Sequence, residues 1–324
     1  MNEHTSLALS CSPHLHSGAS TRCIMLDVLI ALLPAAIMSV WLFGWRAAAV
    51  ELVCIASCMA SEILSAVVLK KPQTVGDLSC AVTGLLLAFN LPVSIPLWQA
   101  ALGGVAAIVV VKQMFGGIGC NFVNPALVGR IVLLCSFPAV MNTWTLPLPL
   151  GVDAVATATP LAQMANGETL TFGVRELLLG LRPGSLGETC VVALLLGFVY
   201  LLVRRVITPL VPAVYIGTVF VLSWIIAGDA QAALYQILSG GLMLGAIFMA
   251  TDYTTSPITP AGKAVFAVGC GLLTVLIRQY GSLPEGVSFA IVIMNILTPL
   301  IERVTRPMPF GKRRFGARKG GAAS

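Results

Sequence analysis

The chain has 324 residues, of which 57% are apolar and 10% charged, with a formal net charge of +6 and a mean hydropathy of +0.94. Soluble domains carry about 25% charged residues, so this composition excludes a fold built for water. Nucleic-acid binding is an unnecessary explanation of the positive charge, because no folded soluble module is present.

Residues 1–23 form a polar N-terminal segment that holds all three histidines, His4, His14 and His16. Apolar runs follow at 24–43, 47–69, 78–91, 95–111 and 125–146, and again at 188–203, 207–227, 232–250, 264–279 and 286–302. Runs of this kind match roughly 30 Å of hydrocarbon, and lipid forces them to be helical because it offers the backbone no partner. The expected fold class is therefore an all-α integral membrane protein, a bundle of about ten transmembrane helices. The first run is too long for the apolar core of a signal peptide and is expected to be a permanent span. The membrane domain is expected over 24–302, followed by a basic tail over 303–324.

Charge sets the expected orientation. With the N-terminus cytoplasmic, Arg22, Lys70, Lys71, Lys112, Arg204, Arg205, Lys263 and the tail from Arg303 lie inside. Only Arg46, Arg175, Arg182 and Arg278 lie at the other side, which satisfies the positive-inside rule. Both termini are then cytoplasmic, the tail faces anionic lipid, and the one long hydrophilic loop, 145–187, is extracytoplasmic.

Three polar segments are candidates for chemistry. In the outer loop, Asp153 to Thr159 precedes Pro160, and a threonine before a proline is ordinarily a helix N-cap. On the inner side, the glycine-rich stretch from Phe115 to Arg130 contains Asn121, Asn124 and Arg130. Its glycines suit close backbone approach to a planar or phosphorylated ligand, or an ordinary membrane-edge turn. The segment from Thr251 to Lys263 faces the same side and brings Asp252, so the two inner segments are expected to wall one cavity. Three acids fall inside apolar runs: Asp27, Glu51 and Glu62. Glu51 and Glu62 are three helical turns apart on one stripe and are candidates for an ion path, with pairing of Glu51 to Arg46 or Lys70 as the structural alternative.

The nine cysteines form no C-x-x-C pair, so neither an iron-sulfur cluster nor a disulfide framework is expected. Cys54 and Cys58 share a helix face and are read as packing residues. No metal site, catalytic triad or phosphate-binding loop is expected.

Several motifs in order, Ser12 to Ser17 with Ile24 and Met25, Thr83 to Pro92, the stretch ending Asn124-Pro125-Ala126, Gly184 to Glu188 and Glu285 to Ala290, make the chain resemble the RnfD/NqrB family. These are membrane subunits of ion-translocating electron-transport complexes. The resemblance implies FMN joined through a phosphoester to Thr159 by a flavin transferase. The attachment pattern falls on Asp153 to Thr159 and includes Thr157, with Ala156 where the pattern usually carries a hydroxyl. It further implies a non-covalent riboflavin nearer the cytoplasm, other Rnf subunits as partners, and coupling to Na+ or H+ by a ferredoxin:NAD oxidoreductase in the inner membrane of a prokaryote. On this implication the chain is not a complete enzyme by itself. A secondary solute transporter is the alternative that ten spans and intramembrane acids also suit, and a structural anchor for soluble subunits is a third.

Overall fold

A computed structural model describes residues 20–148, 159–165, 172–281 and 286–306. The described residues form helices and no strand. The first five-helix set comprises α1 (Thr21–Phe43), α2 (Trp45–Val68), α3 (Ser79–Phe89), α4 (Leu97–Gln113) and α5 (Pro125–Ser136), with one turn, α6 (Pro138–Met141), after it. Short α7 (Pro160–Ala165) and α8 (Val174–Leu179) lie in the long loop. The second set is α9 (Val191–Val203), α10 (Leu210–Ala227), the pair α11 (Ala230–Leu238) and α12 (Leu242–Met249), α13 (Pro260–Tyr280) and α14 (Val287–Thr305).

Each expected span thus coincides with a helix or a broken helix, and the all-helical membrane class stands. Among the described residues, five helices (α1, α2, α10, α13 and α14) are long and apolar enough to cross alone, and α11 with α12, bent by 68°, would make a sixth. The remaining spans are shorter apolar helices: α3, α4, α5 and α9. Two runs that read as continuous are interrupted. At 125–146 the helix breaks at Phe137 before Pro138, because proline cannot continue a helix from its predecessor. At 232–250 it breaks at Ser239–Gly241, where Gly240 takes φ +66° and an added Cβ would lie 2.4 Å from Leu161 Cδ1.

Local chemistry starts the helices. Ser20 caps α1 by accepting from Cys23 N, Asn124 caps α5 ahead of Pro125, Asp229 caps α11, and Thr259 caps α13 ahead of Pro260. Gly44, at φ +75°, turns α1 into α2.

Most of each long span faces outward rather than into the protein. Leu33, Ile37 and Trp41, spaced by four on α1, are exposed, as a lipid-facing stripe must be. Inside, small residues let backbones close. A Cβ on Gly84 of α3 would fall 2.7 Å from Ile55 Cα of α2, and one on Gly197 of α9 would fall 2.2 Å from the Ala31 carbonyl of α1. Such contacts replace the hydrophobic drive that lipid removes.

The packing repeats. In the first set α2 holds α3 and α4, and α4 packs on α5; in the second α10 holds α11 and α13, and α13 packs on α14. α1 meets α9 and α5 meets α14 across the two sets. Because each set has an odd number of spans, the second runs opposite to the first, an inverted pair of halves. One end of the bundle, the basic end, carries Lys70, Lys71, Arg204, Arg205 and Lys263; the other, the loop end, carries Thr159 and α7 and α8.

Candidate functional site

At the basic end, the two polar segments do converge. Asn121, Asn124 and Asp252 line one cavity together with Ser79, Thr83 and Lys112, and its apolar walls come from α1, α3, α9 and Phe248. It encloses about 780 Å³ of empty space, mouth included. Asn124 is held by its capping role, its Oδ1 accepting from Ala126 N at 3.1 Å and its Nδ2 donating to the Met249 carbonyl at 3.4 Å. The side-chain oxygen of Asn121 is buried without a partner. Asp252 closes a turn, accepting from the Thr254 hydroxyl at 3.0 Å and the Thr255 hydroxyl at 3.3 Å. Burial pushes its pKa above the ordinary carboxylate value, while the Thr254 and Thr255 hydrogen bonds oppose that rise.

Arg130 is not part of that lining. It sits buried on α5, where it donates to Asn90 Oδ1 at 3.2 Å and to the Ser288 hydroxyl at 2.8 Å. Asn90 in turn donates to the Met249 sulfur at 3.8 Å. The end of α3, the end of α12 and the starts of α5 and α14 therefore meet in one polar knot.

The three acids within apolar runs separate. Asp27 pairs with Arg204, Nη2 to Oδ2 at 3.1 Å, and accepts from the Tyr200 hydroxyl at 3.0 Å. Glu62 pairs with buried Lys112 at 2.6 Å, and the same ammonium donates to the Ser79 hydroxyl at 2.8 Å. Glu51 accepts from the Ser39 hydroxyl. The alternative pairing of Glu51 with Arg46 is not what forms: Arg46 donates to the carbonyls of Val93 and Ser94 at 3.0 and 3.2 Å. Glu51 and Glu62 do share the buried face of α2, but each is committed to a different neighbour. Cys54 and Cys58 lie on that face as buried free thiols against the carbonyls of Ala100 and Gly104.

At the loop end, Thr159 is buried and its hydroxyl accepts from Ala162 N at 3.2 Å, so it caps α7. Asp153 and Thr157 lie outside the described residues. Leu161 of α7 rests on the break of α11 and α12 at Gly240, and Met164 Sδ accepts from Gln236 Nε2 at 3.9 Å.

Beside this lies a set of residues that sequence reasoning does not assign. Arg182 donates to the Glu188 carbonyl at 2.8 Å, and Glu188 Oε1 accepts from Ser185 N at 3.1 Å. Arg278 donates to the Gln236 carbonyl at 2.6 Å and to the Ser239 carbonyl at 3.3 Å. Arg182 Nε, Glu188 Oε2 and Arg278 Nε are buried without a hydrogen-bond partner. In the sequence Glu188 closes the motif that begins at Gly184, and Arg182 and Arg278 count only toward topology. A charge at or beside a helix end in an apolar chain is the signal that could have found them.

A second cavity opens here, with about 1130 Å³ of empty space, mouth included, lined by Met164, Ile226, Val275, Tyr235, Gln236 and Arg278 together with Ser223, Asp229 and Gln231. Both cavities combine apolar faces with a few polar groups, and each has an unpartnered buried polar atom on a lining residue, Asn121 Oδ1 in one and Arg278 Nε in the other. A flavin, an apolar tricycle with one hydrogen-bonding edge, fits that chemistry.

Comparison with known proteins now decides the family. The family model described as NQR2, RnfD, RnfE matches residues 8–311. The chain belongs to the NQR2, RnfD, RnfE family. Within it, the chain is 46% identical to the D subunit of the Na(+)-translocating ferredoxin:NAD(+) oxidoreductase complex of Acetobacterium woodii, over 96% of this chain and 97% of that protein. It is 42% identical to the D subunit of the proton-translocating ferredoxin:NAD(+) oxidoreductase complex of Clostridium ljungdahlii, over 94% and 96%. The D subunit of the ion-translocating oxidoreductase complex of Halorhodospira halophila is 37% identical over 95% and 97%. The family therefore includes relatives named for different ions.

Proposed function

We propose that this chain is the flavin-carrying membrane subunit of an ion-translocating ferredoxin:NAD(+) oxidoreductase complex, with FMN esterified to Thr159 and electron transfer coupled to Na+ or H+. The observation that carries the reading is near-full-length similarity to the D subunits of such complexes, together with Thr159 at the start of α7, whose Met164 lines the loop-end cavity. The charge asymmetry supports the companion reading that the loop end is extracytoplasmic, both termini are cytoplasmic and the membrane is the prokaryotic cytoplasmic one. The other subunits of the complex and a flavin transferase are the partners this reading requires.

When bound, a flavin supplies the redox chemistry, and the chain's task is to hold it. Thr159 offers the hydroxyl; α7 fixes that residue against the break between α11 and α12. At the basic end, Asn121, Asn124 and Asp252 hold polar groups around an apolar pocket that suits a second, non-covalent riboflavin. In this reading Asp27, Glu51 and Glu62 are the acids that would serve an ion path, and their chemistry suits Na+ and H+ alike.

In-gel flavin fluorescence of the denatured chain, co-expressed with a flavin transferase, tests the attachment. Fluorescence is expected in the wild type and lost in Thr159→Ala; a dark wild type overturns the reading, and signal surviving in Thr159→Ala moves the attachment to Thr157. The inverted halves and the broken α11 and α12 also favour a second reading, a secondary solute transporter. That reading predicts binding or exchange of a labelled solute and no fluorescent band.

A further inference from the structure

We propose that the loop-end cavity between α7, α10, α11 and α13 is the seat of the isoalloxazine ring, with Arg278 the cation beside its pyrimidine edge. This inference rests on the reading that Thr159 carries the flavin.

The tether reaches. Thr159 caps α7, and Met164, five residues on, lines the cavity, which places the cavity wall about 7.5 Å along the helix from the attachment point. An extended ribityl phosphate is longer than that. Met164 also contacts Gln236, whose side-chain oxygen accepts from Arg278 at 3.2 Å. One chain of contacts thus runs from the attachment helix to the buried guanidinium.

The lining supplies both kinds of contact the ring needs. Ile226, Ala227 and Val275 offer apolar contacts for the dimethylbenzene half, and Tyr235, Gln236 and Gln279 offer polar groups for the pyrimidine half, with Asp229 also on the lining. That half presents two carbonyl acceptors flanking one N–H donor. Arg278 has three of its donor contacts committed to Gln236 and Ser239 while its Nε lacks a partner. Arg278 lines the cavity, which sets its guanidinium charge beside the carbonyl oxygens of a ring held there. Positive charge beside the pyrimidine edge favours the electron-rich reduced ring, so Arg278 sets the potential upward.

The test uses the whole purified complex, reading this chain's flavin as the difference from a Thr159→Ala complex. The variants are Arg278→Gln, Arg278→Lys and Ala227→Trp, the last at an exposed position at the end of α10. Covalent attachment, read by in-gel fluorescence, is expected in all three. Arg278→Gln is expected to lower the midpoint potential of that flavin, with Arg278→Lys restoring it in part. Ala227→Trp is expected to displace the ring and raise iodide quenching of its fluorescence severalfold. Unchanged potential and unchanged quenching with attachment intact overturn the seat and leave the Thr159 reading standing. A dark wild-type band overturns the Thr159 reading instead.

Discussion

Lys112 Nζ lies 2.6 Å from Glu62 Oε2, with both side chains almost wholly buried, joining α4 to α2. Removing one partner strands the other charge in a medium that cannot solvate it. Glu62→Gln or Lys112→Met alone is therefore expected to destabilise the protein by about 3–5 kcal/mol. The double variant Glu62→Leu/Lys112→Met is expected to cost much less than the sum. Thermal unfolding in detergent around a double-mutant cycle measures the coupling, and strict additivity would show that the pair is not a unit.

Ser288→Ala removes the hydroxyl that accepts from Arg130 at 2.8 Å. A hydrogen bond to a charged group contributes about 1.5–3 kcal/mol, and that loss of stability is expected here. The control is Ser57→Ala, whose hydroxyl donates to the Cys54 carbonyl at 3.0 Å and bonds the Cys58 side chain, with no charged partner among the described residues. Equal losses in the two variants would remove Arg130 from the account.

Gly84 is expected to tolerate no side chain, because its added Cβ meets the backbone of α2 rather than a flexible tip. Gly84→Ala should cost about 1–3 kcal/mol by overpacking. Gly76→Ala, with nothing within 4 Å of the new atom, should be close to neutral. The melting temperatures of the two variants decide it.

Asp252 links stability at the basic end to pH. Burial raises its native pKa above that of the unfolded chain, so the native state holds its proton more tightly. That contribution is fully present below the unfolded value and is lost as pH rises through the native value. Asp252→Asn is expected to flatten this part of the melting temperature profile against pH. A profile of unchanged slope would show that the carboxyl does not titrate there.

The span positions are legible in the sequence because lipid imposes a length and an apolar composition on every crossing, and basic residues punctuate the turns. The breaks at Phe137 and at Ser239–Gly241 are hidden because an apolar run reads the same whether or not its backbone bends; Pro138 and the Gly240-Gly241 pair are the marks. Asn121, Asn124 and Asp252 are legible as one site since both segments share a side and a polar composition. Arg130 groups with them by sequence neighbourhood, whereas one and a half turns of α5 carry it from Asn124 to Asn90 and Ser288. Lys112 reads as a topology marker alone, since its partner Glu62 is fifty positions away and no local pattern announces such a pair. Arg278 escapes for the same reason, its partners Gln236 and Ser239 lying 42 and 39 positions away.

The far end of α3 is finished by backbone that comes much later in the chain: Gly187 N donates to the Phe89 carbonyl at 3.0 Å and Leu186 N to the Leu91 carbonyl at 3.1 Å. During synthesis those carbonyls exist before their partners do. A chain halted before Leu186 has α1 to α8 but leaves these carbonyls open on residues that are buried in the finished protein, and an open buried carbonyl is costly. The first half is thus not an independent folding unit. Quality control that acts on partly inserted chains has a physical mark to read at Phe89, and it is erased only when the loop ahead of α9 arrives.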